Sequence, residues 1–140
     1  MPRNLRLTCL VLTVLCVGTQ ADTQTRDPAA ERGRALFNRC YACHTAYGNE
    51  RGEHGLSLWR VVGRRAASVR GFDYSAAMRA KGREGLVWTE AELDRFLVNP
   101  ANVVPGTSMP FGGMTDPRER AAIIAFLRLS EAASPPAGRR

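Results

Sequence analysis

Apolar residues recur along this chain at the three- and four-residue spacing of helices, and no stretch alternates with the two-residue period of a strand. Gly33, Leu36, Phe37 and Cys40 share one helical face, behind Asp27-Pro28, an N-cap followed by proline at the first helical position. Gly33 lacks a side chain, which lets another helix cross closely; simple tolerance of glycine inside a helix is the rival reading. Ser75 is placed to cap a short helix that Gly82 closes. Thr89-Glu90-Ala91-Glu92 has the capping-box pattern, and Leu93, Phe96 and Leu97 follow at helical spacing. That helix ends by Asn99, because Pro100 disfavours helical geometry in the residue before it. Asp116-Pro117-Arg118-Glu119 opens a last helix that buries Ile123, Phe126 and Leu127.

Between these helices, residues 48–71 are irregular and rich in Gly and Arg. Residues 103–113 form a loop carrying Pro105, Gly106, Pro110, Gly112 and Gly113, and residues 130–140 form a loose tail around Pro135-Pro136. The expected class is all-α, with four to five short helices and no repeats. Isolated helices below ~12–15 residues are marginal in water, and a 140-residue chain holds one domain with a modest core. A large apolar group at the centre would make up the shortfall.

The N-terminus changes the compartment expected. Arg3 and Arg6 precede an apolar run over residues 7–17, interrupted only by Thr8 and Thr13 among polar residues, and Thr19-Gln20-Ala21 offers small residues at −3 and −1. The apolar core is about 11 residues, too short for a helix spanning a bilayer, which needs ~20. An uncleaved anchor is the rival reading. A lipoprotein is disfavoured by bulky Leu15 before Cys16. Residues 1–21 therefore read as a signal peptide cleaved near Ala21, residues 22–32 as a leader and the start of the first helix, residues 33–129 as the folded domain and 130–140 as the tail. The expected location is the periplasm, with no stable membrane insertion. Beyond residue 21, 18 basic and 13 acidic residues remain, a net charge of +5. There is no tight basic run and no reading element, so nucleic acid is not an expected partner.

Cysteine usage narrows the chemistry. Cys9 and Cys16 lie in the leader, which leaves Cys40 and Cys43. Cys40-Tyr41-Ala42-Cys43-His44 is the C-x-x-C-H pattern of covalent haem attachment. Positions i, i+3 and i+4 share one face of a helical turn, so two thiols can add to one haem and the histidine lies under its iron. A structural zinc site wants four Cys or His ligands, and after these three only His54 remains. A thioredoxin-type pair wants a βαβ setting, whereas this one ends an amphipathic helix. Candidates for a sixth iron ligand are Met78, Met109, Met114 and His54. Methionine more often fills gaps than binds metal. Met109 is favoured by its stiff setting, Val104-Pro105-Gly106-Thr107-Ser108-Met109-Pro110, 65 residues beyond His44. A His/Met pair raises the reduction potential and closes both axial positions, which argues for electron transfer over catalysis.

Between Gly33 and Leu129 the sequence resembles class I cytochrome c, the branch of mitochondrial cytochrome c and its bacterial relatives. The likeness runs through Gly33-Arg34-Ala35-Leu36-Phe37, Cys40 to Thr45, Val62-Gly63-Arg64, Gly71-Phe72-Asp73-Tyr74 and Leu86-Val87-Trp88. It continues through Phe96-Leu97-Val98-Asn99-Pro100, Pro105-Gly106-Thr107-Ser108-Met109 and Glu119 to Leu127. The resemblance implies the cytochrome c fold around one covalent haem c. It implies Met109 as sixth ligand, Arg64, Tyr74 and Trp88 on the buried propionates, and Phe111 over the haem edge. Gly33 and Phe37 are expected to pack against Ile123 and Phe126.

The departures are as informative. Phe96 stands where the family has a Tyr whose hydroxyl bonds the Met sulfur. Leu56 stands where a Pro offers its carbonyl to the histidine ring; Leu56 still offers a carbonyl, on a less stiff loop. Met78 replaces a polar pocket residue, and Trp59 is unusually bulky. The lysine ring round the haem edge is replaced by Ala101, Asn102, Ser108, Thr115 and Asp116, while cations gather at Arg60, Arg64, Arg65, Arg70, Arg79, Lys81 and Arg83. A solvated face with some propionate pairing is the favoured reading of that cluster. The expected function is a monomeric one-electron carrier, not an enzyme, whose partners are redox proteins such as a membrane reductase or oxidase or a periplasmic dehydrogenase. Two alternatives remain open: a haem subunit of such a dehydrogenase or oxidase, and an open-site haem enzyme or sensor.

Overall fold

A computed structural model describes residues 27–48 and 55–130. The leader over residues 1–21, residues 131–140 of the expected tail and His54 lie outside the described residues; Ser130, expected to begin that tail, is instead buried at the end of the last helix, its Oγ donating to the Leu127 carbonyl. Among the described residues five α-helices follow in order: α1 (Pro28–Leu36), α2 (Ala76–Arg83), α3 (Glu90–Val98), α4 (Pro100–Val103) and α5 (Pro117–Ser130). A 3₁₀ turn, Phe37–Arg39, continues α1. Among the described residues the only β-pairing is an isolated bridge between Arg65 and Val87.

The starts of these helices obey local chemistry. Asp27 accepts from the Ala29 amide with Pro28 at the first position, and Ser75 Oγ accepts from Met78 N. Thr89 accepts from Glu92 N, and Asp116 Oδ1 from Arg118 N at 2.8 Å. At Asn99 the expected helix end occurs, and the same side chain caps α4 through the Ala101 amide. This one-turn helix falls outside the sequence expectation; Pro100, which stops α3, starts it.

Gly82 does not close α2. It lies inside the helix, buried, where a Cβ would come within 2.6 Å of the Ala66 carbonyl oxygen. The chain instead leaves α2 through Glu84 and Gly85, which takes φ +90°. The two glycines have different reasons: Gly82 admits a neighbouring backbone, Gly85 a left-handed turn.

The core is organised on the crossing of α1 and α5. At Gly33 a Cβ would lie 1.9 Å from the Ala122 carbonyl oxygen and 2.8 Å from Phe126 Cβ, so the two backbones meet there. Phe37, fully buried, packs on Phe126 with ring centroids 5.2 Å apart. Ile123 and Leu127 are buried beside it, as the helical spacing predicted. Arg120 is buried as well: Nε donates to Asp94 Oδ1 at 2.7 Å and Nη1 to the Met114 and Thr115 carbonyls at 3.0 Å. That guanidinium binds α5 to α3 and to the loop before α5. Sequence patterning gave it no such task, because a charged residue beside an apolar helix face reads as solvent-exposed.

Candidate haem-binding site

The 3₁₀ turn after α1 delivers the chain into Cys40, and the helical path persists for one more turn. The Cys43 and His44 amides both donate to the Cys40 carbonyl, at 3.0 and 2.8 Å. Cys40, Cys43 and His44 therefore keep the i, i+3, i+4 relation that their spacing promised. Both cysteines are half-buried and are not bridged to each other. Burial pushes the Cys40 thiol above its ordinary range; the Arg39 cation pulls the other way and Cys43 adds to the rise.

His44 is oriented from behind. Its Nδ1 lies 2.9 Å from the Leu56 carbonyl oxygen. A carbonyl only accepts, so Nδ1 carries the proton and Nε2 keeps its lone pair for a metal. The adjacent Gly55 is buried against the ring, where a Cβ would meet His44 Cε1 and Nδ1 at 2.8 Å.

One open-mouthed cavity, about 810 Å³ with the open solvent at its mouth included, joins these groups to the rest of the expected site. Cys40, His44, Arg64, Tyr74, Trp88, Phe96 and Met109 all line it. Backbone pairing sets Arg64 beside Trp88: Trp88 N donates to Arg64 O and Gly63 N to Trp88 O, both at 2.9 Å. Trp88 then meets Phe96 edge-on at 5.0 Å. The Tyr74 hydroxyl accepts from Val69 N at 3.2 Å. The Met109 loop is braced internally, with Thr107 N on the Val104 carbonyl at 3.0 Å and Met109 N on Thr107 Oγ1 at 3.3 Å.

The cavity also sorts the methionines. Met78 lines it; Met114 does not, being buried with its amide on the Leu97 carbonyl at 2.8 Å. Of the expected site residues, Cys43 and Phe111 are not on the wall; Phe111 is partly buried against the core. Arg65 is on the wall, and its Nε donates to the Gly82 carbonyl at 3.1 Å. Sequence reading placed Arg65 in a solvated basic cluster; the two-residue step from Gly63 through the bridge to Val87 is what brings it to the cavity.

These residues fit a haem. The cavity's wall is mainly aliphatic and aromatic, as an apolar macrocycle requires. One thiol, one imidazole with an open Nε2 and two thioethers, Met78 and Met109, face the same space, and two guanidiniums offer charge for carboxylates. No described helix is long and apolar enough to cross a membrane.

Comparison with known proteins agrees. The family model described as cytochrome c matches residues 30–130. Cytochrome c2 of Rhodomicrobium vannielii is 44% identical over 96 residues, which cover 69% of this chain and 74% of that protein. Cytochrome c2 of Agrobacterium tumefaciens is 38% identical over 104 residues, 74% of this chain and 94% of that protein. The solved structure of cytochrome cH from Methylobacterium extorquens matches with a TM-score of 0.63 at 37% identity, covering 71% of this chain and 97% of that one. The chain therefore belongs to the cytochrome c family, as a class I, helical electron carrier with covalently bound haem c.

Proposed function

We propose that this protein is a periplasmic one-electron carrier whose haem is attached through Cys40 and Cys43, with His44 and Met109 as the axial ligands. The observation that carries the reading is that His44, its Nδ1 committed to Leu56, lines the same cavity as Met109. When bound, the haem supplies a ferric–ferrous couple that changes by one electron. The residues of this chain do the rest. The Cys40–His44 turn holds imidazole and thiols in fixed relation, so no large reorganisation accompanies a change of charge. The braced Met109 loop brings a soft thioether, which favours the ferrous state and leaves no open position for a substrate. Arg64, Tyr74 and Trp88 present donors from one wall to the propionates. Phe111, packed behind the Met109 loop, would guard the haem edge without forming the wall.

Residues 1–21 carry the features of an export signal, and the periplasm follows from them. The partners are other redox proteins, and a closed six-coordinate iron makes the protein a carrier, not an enzyme.

Absorbance spectra of the mature ferric protein test this reading. Methionine ligation gives a weak band near the red edge, and Met109→Leu should abolish it and admit carbon monoxide to the ferrous protein at neutral pH. A wild-type protein lacking the band and binding carbon monoxide readily would overturn the carrier. A band that survives Met109→Leu and is lost in Met78→Leu would move the ligation to Met78.

A further inference from the structure

We propose that Ser57 is a positioning residue for the axial histidine: it aims the Leu56 carbonyl that sets the His44 ring. The proposal rests on reading His44 as an iron ligand. It starts from Leu56, a position whose side chain does nothing to stiffen the backbone. The carbonyl carbon of Leu56 and the nitrogen of Ser57 belong to one rigid peptide plane. Whatever anchors Ser57 therefore sets the direction of the Leu56 oxygen.

Ser57 is anchored on every side. Its side chain is buried, and Oγ donates to the Gly48 carbonyl at 2.6 Å while accepting from Trp59 N at 3.1 Å. Its own carbonyl accepts from Arg64 Nη2 at 3.1 Å, and Arg64 Nη1 donates to the Trp59 carbonyl at 3.0 Å. Leu58 N donates to the Thr45 carbonyl at 2.7 Å. The loop bearing the acceptor is thus tied to residues 45–48, the segment that continues directly from His44. The Ser57 hydroxyl makes one of these ties, to Gly48, braces the loop internally at Trp59 N, and belongs to the residue that shares the peptide plane in question. Hydrogen bonds here do what a proline ring would do covalently.

The consequence reaches the iron. A firm Nδ1–H···O=C bond makes the imidazole more basic at Nε2 and a better donor to ferric iron, which lowers the reduction potential. Ser57→Ala removes both hydroxyl bonds and little volume. The Leu56 carbonyl is then free to drift, the donation weakens and the potential rises.

The experiment compares holoprotein variants by potentiometry and by NMR exchange of the His44 Nδ1 proton. In Ser57→Ala the potential should shift upward and the proton should exchange about tenfold faster, the loss expected for a weakened hydrogen bond. Ser57→Thr, which keeps the hydroxyl, should stay at wild-type values. Adding Leu56→Pro to Ser57→Ala should return both readouts towards wild type, because the ring stiffens the same peptide. Unchanged potential and exchange in Ser57→Ala, even with a lowered unfolding temperature, would overturn the proposal and leave Ser57 a purely structural residue. Failure of Ser57→Ala to yield holoprotein, uncorrected by Leu56→Pro, would overturn it as well. Failure of the underlying reading is separate: wild-type protein would then show no histidine-ligated low-spin haem before any variant is made.

Discussion

Phe96 shows how much a single missing atom can matter at the residue scale. It lies on the cavity wall with Met109 and is wedged edge-on against Trp88. A phenyl ring donates no hydrogen bond, so under the proposed ligation the Met109 sulfur would keep its full electron density for the iron. Phe96→Tyr would place a hydroxyl within the same cavity, and a bond to the sulfur would make it a poorer donor to ferric iron. We expect the potential to rise by about 40 mV, the one-electron equivalent of a ~1 kcal/mol hydrogen bond. Potentiometry on the variant decides; an unchanged or lower potential would mean that the hydroxyl does not reach the sulfur. Individual residues differed in how legible they were. Cys40, Cys43 and His44 were legible because a five-residue turn obeys its own geometry. Arg65 was not, because its place depends on a partner, Val87, more than twenty positions away.

At the scale of elements, glycine positions separate packing from tolerance. The α1–α5 crossing depends on Gly33, where an added methyl would lie 1.9 Å from a backbone oxygen that cannot move without displacing α5. Overpacking of this kind costs about 1–3 kcal/mol, and a backbone obstacle puts Gly33→Ala at about 3 kcal/mol or above. Gly112 is the control: nothing lies within 4 Å of its added Cβ, so Gly112→Ala should stay within ~0.5 kcal/mol of wild type. Denaturant unfolding of the two holoproteins checks both, and equal midpoints would refute the crossing as a tight contact. The starts of α1, α2, α3 and α5 were legible, since each is a local contact between a side-chain oxygen and amides two or three residues on. The end of α2 was not. Gly82 has the residue type of a stop, but its surroundings, the Ala66 carbonyl and Ala67, come from a different loop.

Across the whole molecule, charge is distributed unevenly. Residues 60–83 hold seven cations (Arg60, Arg64, Arg65, Arg70, Arg79, Lys81 and Arg83) against Asp73 alone, a local net of +6 in a chain of net +7. Several are engaged internally: Arg79 pairs with Asp73, Lys81 with Glu84, and Arg64 and Arg65 hold backbone carbonyls. By contrast, residues 40–48 and 101–115, which contribute Cys40, His44 and Met109 to the cavity, carry no Asp, Glu, Lys or Arg. Electrons that leave beside those segments cross a nearly neutral surface, where salt has little to screen. Stopped-flow oxidation by ferricyanide should therefore change by no more than about threefold as ionic strength rises from about 10 mM to 0.2 M. A steep decline with salt would show that the basic segment steers the encounter.

The sequence by itself determined the helical class, the starts of α1, α2, α3 and α5, the thiol–thiol–imidazole turn and the braced loop of Met109. All of these are set by residues within a turn or two of one another, where spacing and backbone preference suffice. Only the tertiary structure decided that Arg65 joins the cavity wall and that Met114 and Phe111 lie off it. It alone also showed that Arg120 is buried and that Ser57 braces the Leu56 carbonyl expected on His44. Those outcomes depend on which distant segments meet when α1 crosses α5 and the 55–67 loop folds back. A one-dimensional pattern carries no measure of such distances.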